Sequence, residues 1–352
     1  MTPHCPYCPS ENSQLVQRLT YIDRYRCVKC RRKFTYRAGN PCVSGGAGNF
    51  FIYNHQGKGD LFERALIKAG YAPAEKLSSQ IVLSDIDTPG RVNQLSDRIT
   101  KGFTKLFCYP HAARPFVGWA GLFPPSGLTS ASFVFAEGHI DVIRAYGYKR
   151  PLHSVGWAYS EIKPFRPTRP RRVLFAPIHP NNNGWLSNLD RGINSRTFQI
   201  LLRLIETQGI ELTVRHIKVL AAGGLWKDPR VKYVRGDTNT KQQDDMNNAD
   251  VVISHQTYAY CAIARGIPTV MMAEDIPPRN GRDEASFKFV DRWDDWKSLL
   301  MYPLDILNTD DPWRLIQRAC ETDEDIRDWR HRMIGNKLFD PQKFVGLIKE
   351  YL

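Results

Sequence analysis

The sequence predicts an α/β protein of two parallel-sheet halves, with a small metal-clamped module at its N-terminus. Three observations predict it. Short apolar runs such as Val251-Val252-Ile253 end in Gly, Pro or small polar residues. That is how strands covered on both faces read. Helical patterns separate many of these runs, as crossover connections of a parallel sheet require. Two C-x2-C pairs lie within the first thirty residues, and a proline-punctuated basic stretch at 163–172 divides the rest.

The bulk numbers set the bounds. A chain of 352 residues with 42% hydrophobic and 24% charged content suits two domains with proper cores and a small appendage. We expect boundaries at 1–46, 47–165 and 166–352. No window approaches eighteen uninterrupted apolar residues, and the N-terminus has no apolar signal region, so no membrane span or secretion is expected. Eight cysteines in such a chain point to metal binding in a reducing cytoplasm. The formal charge of +13 argues for an anionic partner.

That charge is concentrated at the front. Residues 1–40 hold eight Lys/Arg against two acids, a net +6. Cys5-Pro-Tyr-Cys8 and Cys27-Val-Lys-Cys30 are separated by eighteen residues. Two thiolate pairs at this spacing suit a tetrahedral structural zinc, which substitutes for a core too small to fold alone. Arg24, Arg26, Lys29, Arg31, Arg32 and Lys33, interleaved with Tyr21, Tyr25, Phe34 and Tyr36, fit phosphate pairing with stacking on bases or sugars. The stretch resembles the zinc ribbon of DNA-binding proteins, with its C-P-x-C and Y-R-C-x-x-C-x-x-x-F knuckles. Solubility, or docking on the rest of the chain, would explain the same basicity. Residues 40–48 read as a flexible linker.

In the first half, residues 50–53 form a strand that ends in Asn54-His55-Gln56-Gly57-Lys58-Gly59-Asp60 and enters a helix over 61–69. Strand, glycine-bearing loop and helix open a Rossmann-like unit. The loop matches neither nucleotide-binding glycine fingerprint. Further strands at 80–83, 105–109 and 132–136 end in Asp85 and Asp87, in His111, and in Glu137 and His139. Ionisable groups gathered on one sheet edge are what acid–base chemistry requires. Among them His55, Asp60, Asp85 and Asp87 are the candidate catalytic residues, though each alone could be a helix cap.

The stretch 163–172 has prolines at 164, 167 and 170, which favour an extended spacer. Beyond it, a strand over 172–176 leads to a long polar loop bearing His179 and Gly184. A helix over 197–208 stops at Gly209. A strand over 211–216 ends in Arg215 and His216, and another covers 231–234. A short polar helix over 241–248 precedes the strand 251–253. That strand releases Ser254, His255, Gln256 and Thr257, followed by a small-residue helix and a second buried strand from Thr269. Ligands bind beyond the carboxyl ends of such strands. A well-capped turn with no ligand would read the same way. The remainder is expected to be helical.

The order of these parts resembles the nucleotide-sugar half of GT-B glycosyltransferases, together with the related sugar-nucleotide epimerases and glycerophosphate polymer transferases. The motifs are a strand ending in Arg-His, a short helix, Ala-Asp-Val-Val-Ile-Ser, polar residues, a small-residue helix and Gly-Ile-Pro-Thr-Val. The resemblance spans 173–275 well and 50–160 loosely. It implies two Rossmann-like domains facing across a cleft and a nucleotide-sugar donor. The donor diphosphate would be met by Arg215, Ser254, His255, Gln256 and Thr257, with His179, Gly184 and His216 facing the cleft. His55 matches the position where many inverting members keep their base. Tyr260 and Cys261 stand where many members place a ribose-binding glutamate.

Three functions follow as expectations. The first is a glycosyltransferase acting on hydroxylated bases in double-stranded DNA, similar to bacteriophage DNA-base glycosyltransferases and working in the cytoplasm of a bacterial host. The second is a transferase building an anionic or cell-surface polymer. The third is a catalytically inactive GT-B protein that binds DNA.

Overall fold

The computed structural model describes residues 13–18, 23–27, 33–36, 47–53, 59–84, 93–110, 128–145, 148–178, 188–215, 228–234, 239–272, 302–321 and 323–352. Three strands open it: β1 (Ser13–Arg18), β2 (Asp23–Cys27) and β3 (Lys33–Tyr36), an antiparallel sheet in that order. Only their backbone is described. Cys5, Cys8, Cys30, Lys29, Arg31 and Arg32 lie outside the described residues, so the expected zinc site does too. Cys27 is the last residue of β2.

The first α/β half comprises β4 (Asn49–Tyr53), α1 (Gly59–Lys68), β5 (Ala72–Pro73), β6 (Ile81–Ser84), α2 (Ser96–Thr100), β7 (Lys105–Cys108), β8 (Ala131–Val134), α3 (Glu137–Ala145) and β9 (Leu152–Ser154). Its sheet runs β5-β4-β6-β7-β8-β9, parallel throughout. All four residues of β6 and of β8 are buried, which explains their unbroken apolar or small-residue runs.

The second half contains β10 (Arg172–Ala176), α4 (Asn188–Gln208), β11 (Glu211–Arg215), β12 (Lys232–Val234), α5 (Asn239–Asn247), β13 (Val251–Ser254), α6 (Gln256–Ala264) and β14 (Thr269–Met271). Its sheet is again parallel, in the order β12-β11-β10-β13-β14. Helices α7 (Pro312–Cys320), α8 (Glu324–Met333) and α9 (Pro341–Glu350) follow. Asp311, Asp323 and Asp340 cap them, each accepting from main-chain N–H groups of the first turn.

The last helix returns to the first sheet. Phe344 packs on Phe62 of α1 at 4.8 Å between ring centroids, and Tyr351 meets Phe107 of β7 edge-on at 5.7 Å. The two places where the chain passes between halves are bonded to each other. Trp157 donates its N–H to the Lys337 carbonyl (2.8 Å) and accepts from Phe339 N–H (2.9 Å). An aromatic file crosses the junction. Phe135 meets Tyr159, Tyr159 meets Trp157, Trp157 stacks on Tyr260, and Tyr260 meets Trp329, with centroids 5.0–6.5 Å apart. Both halves therefore share one buried apolar cluster.

The basic stretch 163–172 forms no helix and no strand before Arg172, and it is bonded to the second half at several points. Lys163 and Arg166 donate main-chain N–H groups to Ala264 and Gly266 carbonyls (2.9 and 2.8 Å). The Arg166 guanidinium reaches the Ala249 carbonyl (2.8 Å), and Thr168 Oγ1 the Asp250 carbonyl (2.9 Å). Arg172 pairs with Asp250 at 2.6 Å. Burial pushes the Asp250 carboxyl up, but the Arg172 guanidinium and main-chain N–H groups outweigh it and hold the group below its usual range. Three of the stretch's cations are thus engaged within the chain: Lys163, which pairs with Glu161 at 2.7 Å, Arg166 and Arg172.

One buried histidine fixes α8 on α3. His139 is 0% exposed and donates Nε2–H to the Met333 carbonyl at 2.8 Å. Burial lowers its pKa to about 4, and the Met333 bond only partly opposes this. The folded value lies below that of the unfolded chain, so protons bind first to the unfolded state. Stability is full above about pH 6.5 and is lost as pH falls toward 4. We expect a loss of about 2 kcal/mol between pH 7.5 and pH 5. Urea unfolding midpoints should show it in the parent protein, and show much less of it in His139→Gln.

Candidate functional site

In each sheet the strand order reverses at one point, the place beyond whose strand ends open α/β sheets bind ligands. In the first sheet the chain goes from β4 outward to β5 and then back to β6 on the other side. The reversal lies between β4 and β6, whose last residues Tyr53 and Ser84 are register partners. His55 follows Tyr53 by two positions, and Asp85 and Asp87 follow Ser84 by one and three. All three lie outside the described residues. Asp60 is described: it sits half-buried in the first turn of α1, at the same edge. Tyr109, just past β7, donates its hydroxyl to the Tyr53 carbonyl at 2.7 Å and so ties this edge together.

In the second sheet the reversal lies between β10 and β13. Ala176 and Ser254 are register partners there, and buried Ser254 donates its Oγ–H to the Ala176 carbonyl at 2.8 Å. His255 follows as the N-cap of α6 in an extended conformation (φ −131°, ψ 148°), without bonding the helix N–H groups through its side chain. The amides of the α6 N-terminus thus begin at this reversal point, where the helix dipole and N–H groups favour an anion. Thr257, like His255, is half-buried. The side chain of Gln256 is not described.

Arg215 is the last residue of β11 and is 1% exposed. Its Nε lies 3.4 Å from Asp245 Oδ2, and its guanidinium sits 5.3 Å from the Tyr258 ring centroid. Burial pushes the Tyr258 phenol up to about 12, with the Arg215 charge opposing. Arg215 therefore backs the first turn of α6 from inside the protein. His179, Gly184 and His216 lie outside the described residues. Among the described residues, no group of three or more His, Cys, Asp or Glu is arranged to hold a metal. None of their helices is long and apolar enough to cross a membrane.

Tyr260 and Cys261 have a plain structural role. Tyr260 is 0% exposed within the interdomain aromatic file, and Cys261 is buried with its Sγ 4.0 Å from the Tyr159 carbonyl. An acidic side chain at Tyr260 would put a charge inside that file at high cost.

Asn194 and Asp245 were not visible as site residues in the sequence. Asn194 sits on α4, three residues before the helix start expected from the sequence at Thr197, and its Oδ1 accepts from the N–H of Ile178 at 2.8 Å while its Nδ2 donates to the Ile178 carbonyl at 2.9 Å. One signal was present: Asn194, Phe198 and Leu201 follow i, i+4, i+7, which puts an amide on an apolar stripe.

No family model matches the chain, and no curated protein does. Among solved structures it is similar to MurG from Acinetobacter baumannii, at 11% identity and a TM-score of 0.49, over 86% of this chain and 98% of that one. It is similar to the wall teichoic acid polymerase TagF at 9% identity and a TM-score of 0.45, over 86% and 88%. A third is Alr3699/HepE from Anabaena in complex with UDP-glucose, at 11% and 0.37, over 86% and 98%.

Proposed function

We propose that this chain is a GT-B-type glycosyltransferase that moves a sugar from a nucleotide-sugar donor to a hydroxyl acceptor. The observation that carries the reading is the second sheet's reversal point. There, buried Ser254, the His255 cap and the α6 N-terminus converge, with Arg215 behind them. A departing nucleoside diphosphate gains negative charge as the glycosidic bond breaks, and preset N–H groups, hydroxyls and a guanidinium neutralise it. In this reading Gln256, Thr257, His179, Gly184 and His216 complete the donor site. The first sheet's reversal point faces it across a cleft and supplies the acceptor base, His55, with Asp85 or Asp87 as partner and Asp60 nearby.

The acceptor we propose is a hydroxylated base in double-stranded DNA, flipped out of the stack for access. The basic N-terminal module, with zinc held by Cys5, Cys8, Cys27 and Cys30, grips the backbone. Incubation with nucleotide sugars and DNA containing 5-hydroxymethyl bases, followed by digestion and mass analysis, should reveal nucleosides carrying a hexose or pentose. Transfer to an anionic polymer in place of DNA would move the acceptor to the second class. Salt-sensitive DNA binding with no transfer from any donor would make the chain an inactive reader.

The module makes its own prediction. Each lost phosphate contact reduces the salt dependence of binding by about 0.9 in the log–log slope. Alanine at Arg24, Arg26, Lys29, Arg31, Arg32 and Lys33 together should reduce that slope by about 3–5. Anisotropy titrations at several salt concentrations measure it, and an unchanged slope would remove the module from the DNA contact.

A further inference from the structure

The carboxyl edge of the second sheet carries fully buried polar side chains where apolar ones would pack without penalty. Asn194 and Thr197 are both 0% exposed and lie one turn apart in α4. Thr197 Oγ1 reaches Met272 Sδ, just past β14, at 3.7 Å. Asn194 takes both polar groups of Ile178: Oδ1 accepts from its N–H at 2.8 Å, and Nδ2 donates to its carbonyl at 2.9 Å. Ile178 is the second residue after β10, where the sheet ladder has ended.

Asparagine is a poor helix former, and a buried amide is costly unless its poles are bonded. Leucine at 194 would extend the stripe of Phe198 and Leu201 and avoid both costs. The amide is instead matched, donor to acceptor and acceptor to donor, with the two main-chain polar groups of one residue just past β10, Ile178. On the neighbouring strand, Ser254 ties β13 to the Ala176 carbonyl. Two side chains on different elements thus hold the end of β10 and the residues just past it, at Ala176 and at Ile178.

We propose that Asn194 is a positioning residue for the nucleotide crevice. It locks the Ile178 main chain to α4, so that the β10 exit and the α6 N-terminus stand at a preset separation before any diphosphate enters. The proposal rests on the donor reading given above. Preset donors bind an anion without reorganisation, and a wall free to drift would lose that advantage.

The test uses calorimetric titration of the intact chain with ADP, CDP, GDP, UDP and dTDP. Asn194→Asp is isosteric. Ionised, its carboxylate accepts from the Ile178 N–H but faces the Ile178 carbonyl without a proton to share. Protonated, it restores the donor and the pair. For whichever diphosphate the parent binds, N194D should lose at least about tenfold in affinity at pH 8. At pH 5.5 it should return to within about threefold of the parent measured at the same pH. Asn194→Leu should lose as much at both pH values, and it keeps the question open to measurement if the carboxylate is not tolerated. Ile348→Val, in buried α9 contacts far from the crevice, is the stability control and should bind like the parent. Parent-like affinity of N194L, or an equal loss in the control, would overturn the positioning role. Failure of the parent itself to bind any of the five would overturn the donor reading and this proposal together, and the parent's own titration separates that case.

Discussion

His55→Ala is expected to reduce glycosyl transfer by about 10²- to 10⁴-fold, the range a general base contributes, while nucleoside diphosphate affinity stays within about twofold of the parent. The two quantities separate because the proposed base and the proposed donor site lie on different sheets. In the sequence His55 comes two residues after Tyr53, the last residue of β4, which pairs with Ser84 of β6 at the first sheet's reversal point. The α6 N-terminus belongs to the second. Imidazole is suited to taking a proton from a hydroxyl near neutral pH, and an aspartate beside it would hold its orientation. Steady-state kcat with the reactive acceptor, set against calorimetric affinity for the diphosphate, measures both halves of the prediction. Loss of binding together with turnover would place His55 in the donor site. Retained turnover would pass the base to Asp60, Asp85 or Asp87, and the same pair of measurements on Ala variants of these would assign it.

Much of this arrangement was legible in the sequence because parallel strands advertise themselves. The strand at 172–176 and the run from Val251 were read almost to the residue, since both are buried on two faces and closed by polar turn chemistry. The α4 helix was read from 197, yet it begins at Asn188. Its first turns carry Asn188, Asp190, Gly192, Asn194 and Ser195, which propensity assigns to loops. Tertiary bonds hold them helical, above all the double bond from Asn194 to Ile178. The edge strands β5 and β9 were missed, being two and three residues long and exposed in part. His139 illustrates a different failure. Its place at a strand end matched the pattern of His55, and only its contact with Met333, 194 residues away, shows that it binds a helix into place. The position of Arg215 at the end of β11 is legible in the sequence. Its burial against Asp245 and Tyr258 depends on packing that no local pattern encodes.

Gly266→Ala is expected to destabilise the protein by about 3–5 kcal/mol, and Gly209→Ala by only about 1 kcal/mol. The two glycines share a backbone role. Each follows a helix in the left-handed region, at φ +71° after α6 and +65° after α4, and each variant pays the same local strain. After α6 the bonds form a Schellman pattern, Gly266 N–H to Ile263 O (3.0 Å) and Ile267 N–H to Ala262 O (3.0 Å). Their surroundings differ. A Cβ on Gly209 would meet nothing within 4 Å. A Cβ on Gly266 would collide with the Pro164 carbonyl, a main-chain group that cannot rotate away. Pro164 belongs to the stretch 163–172, a strap lying on α6 that is held on both sides. Arg166 N–H bonds the Gly266 carbonyl, and the Arg330 guanidinium reaches the carbonyls of Lys163 and Ala264. An added methyl must therefore lift the strap from α6 or unwind the helix end. Either movement disturbs the helix whose other end forms the proposed donor site, so Gly266→Ala should weaken diphosphate binding as well, while Gly209→Ala should not. Urea unfolding with unchanged m-values, paired with the diphosphate titration, reads both effects. Equal losses of stability in the two variants would show that the strap yields freely, and that the junction between the halves is looser than its bonds imply.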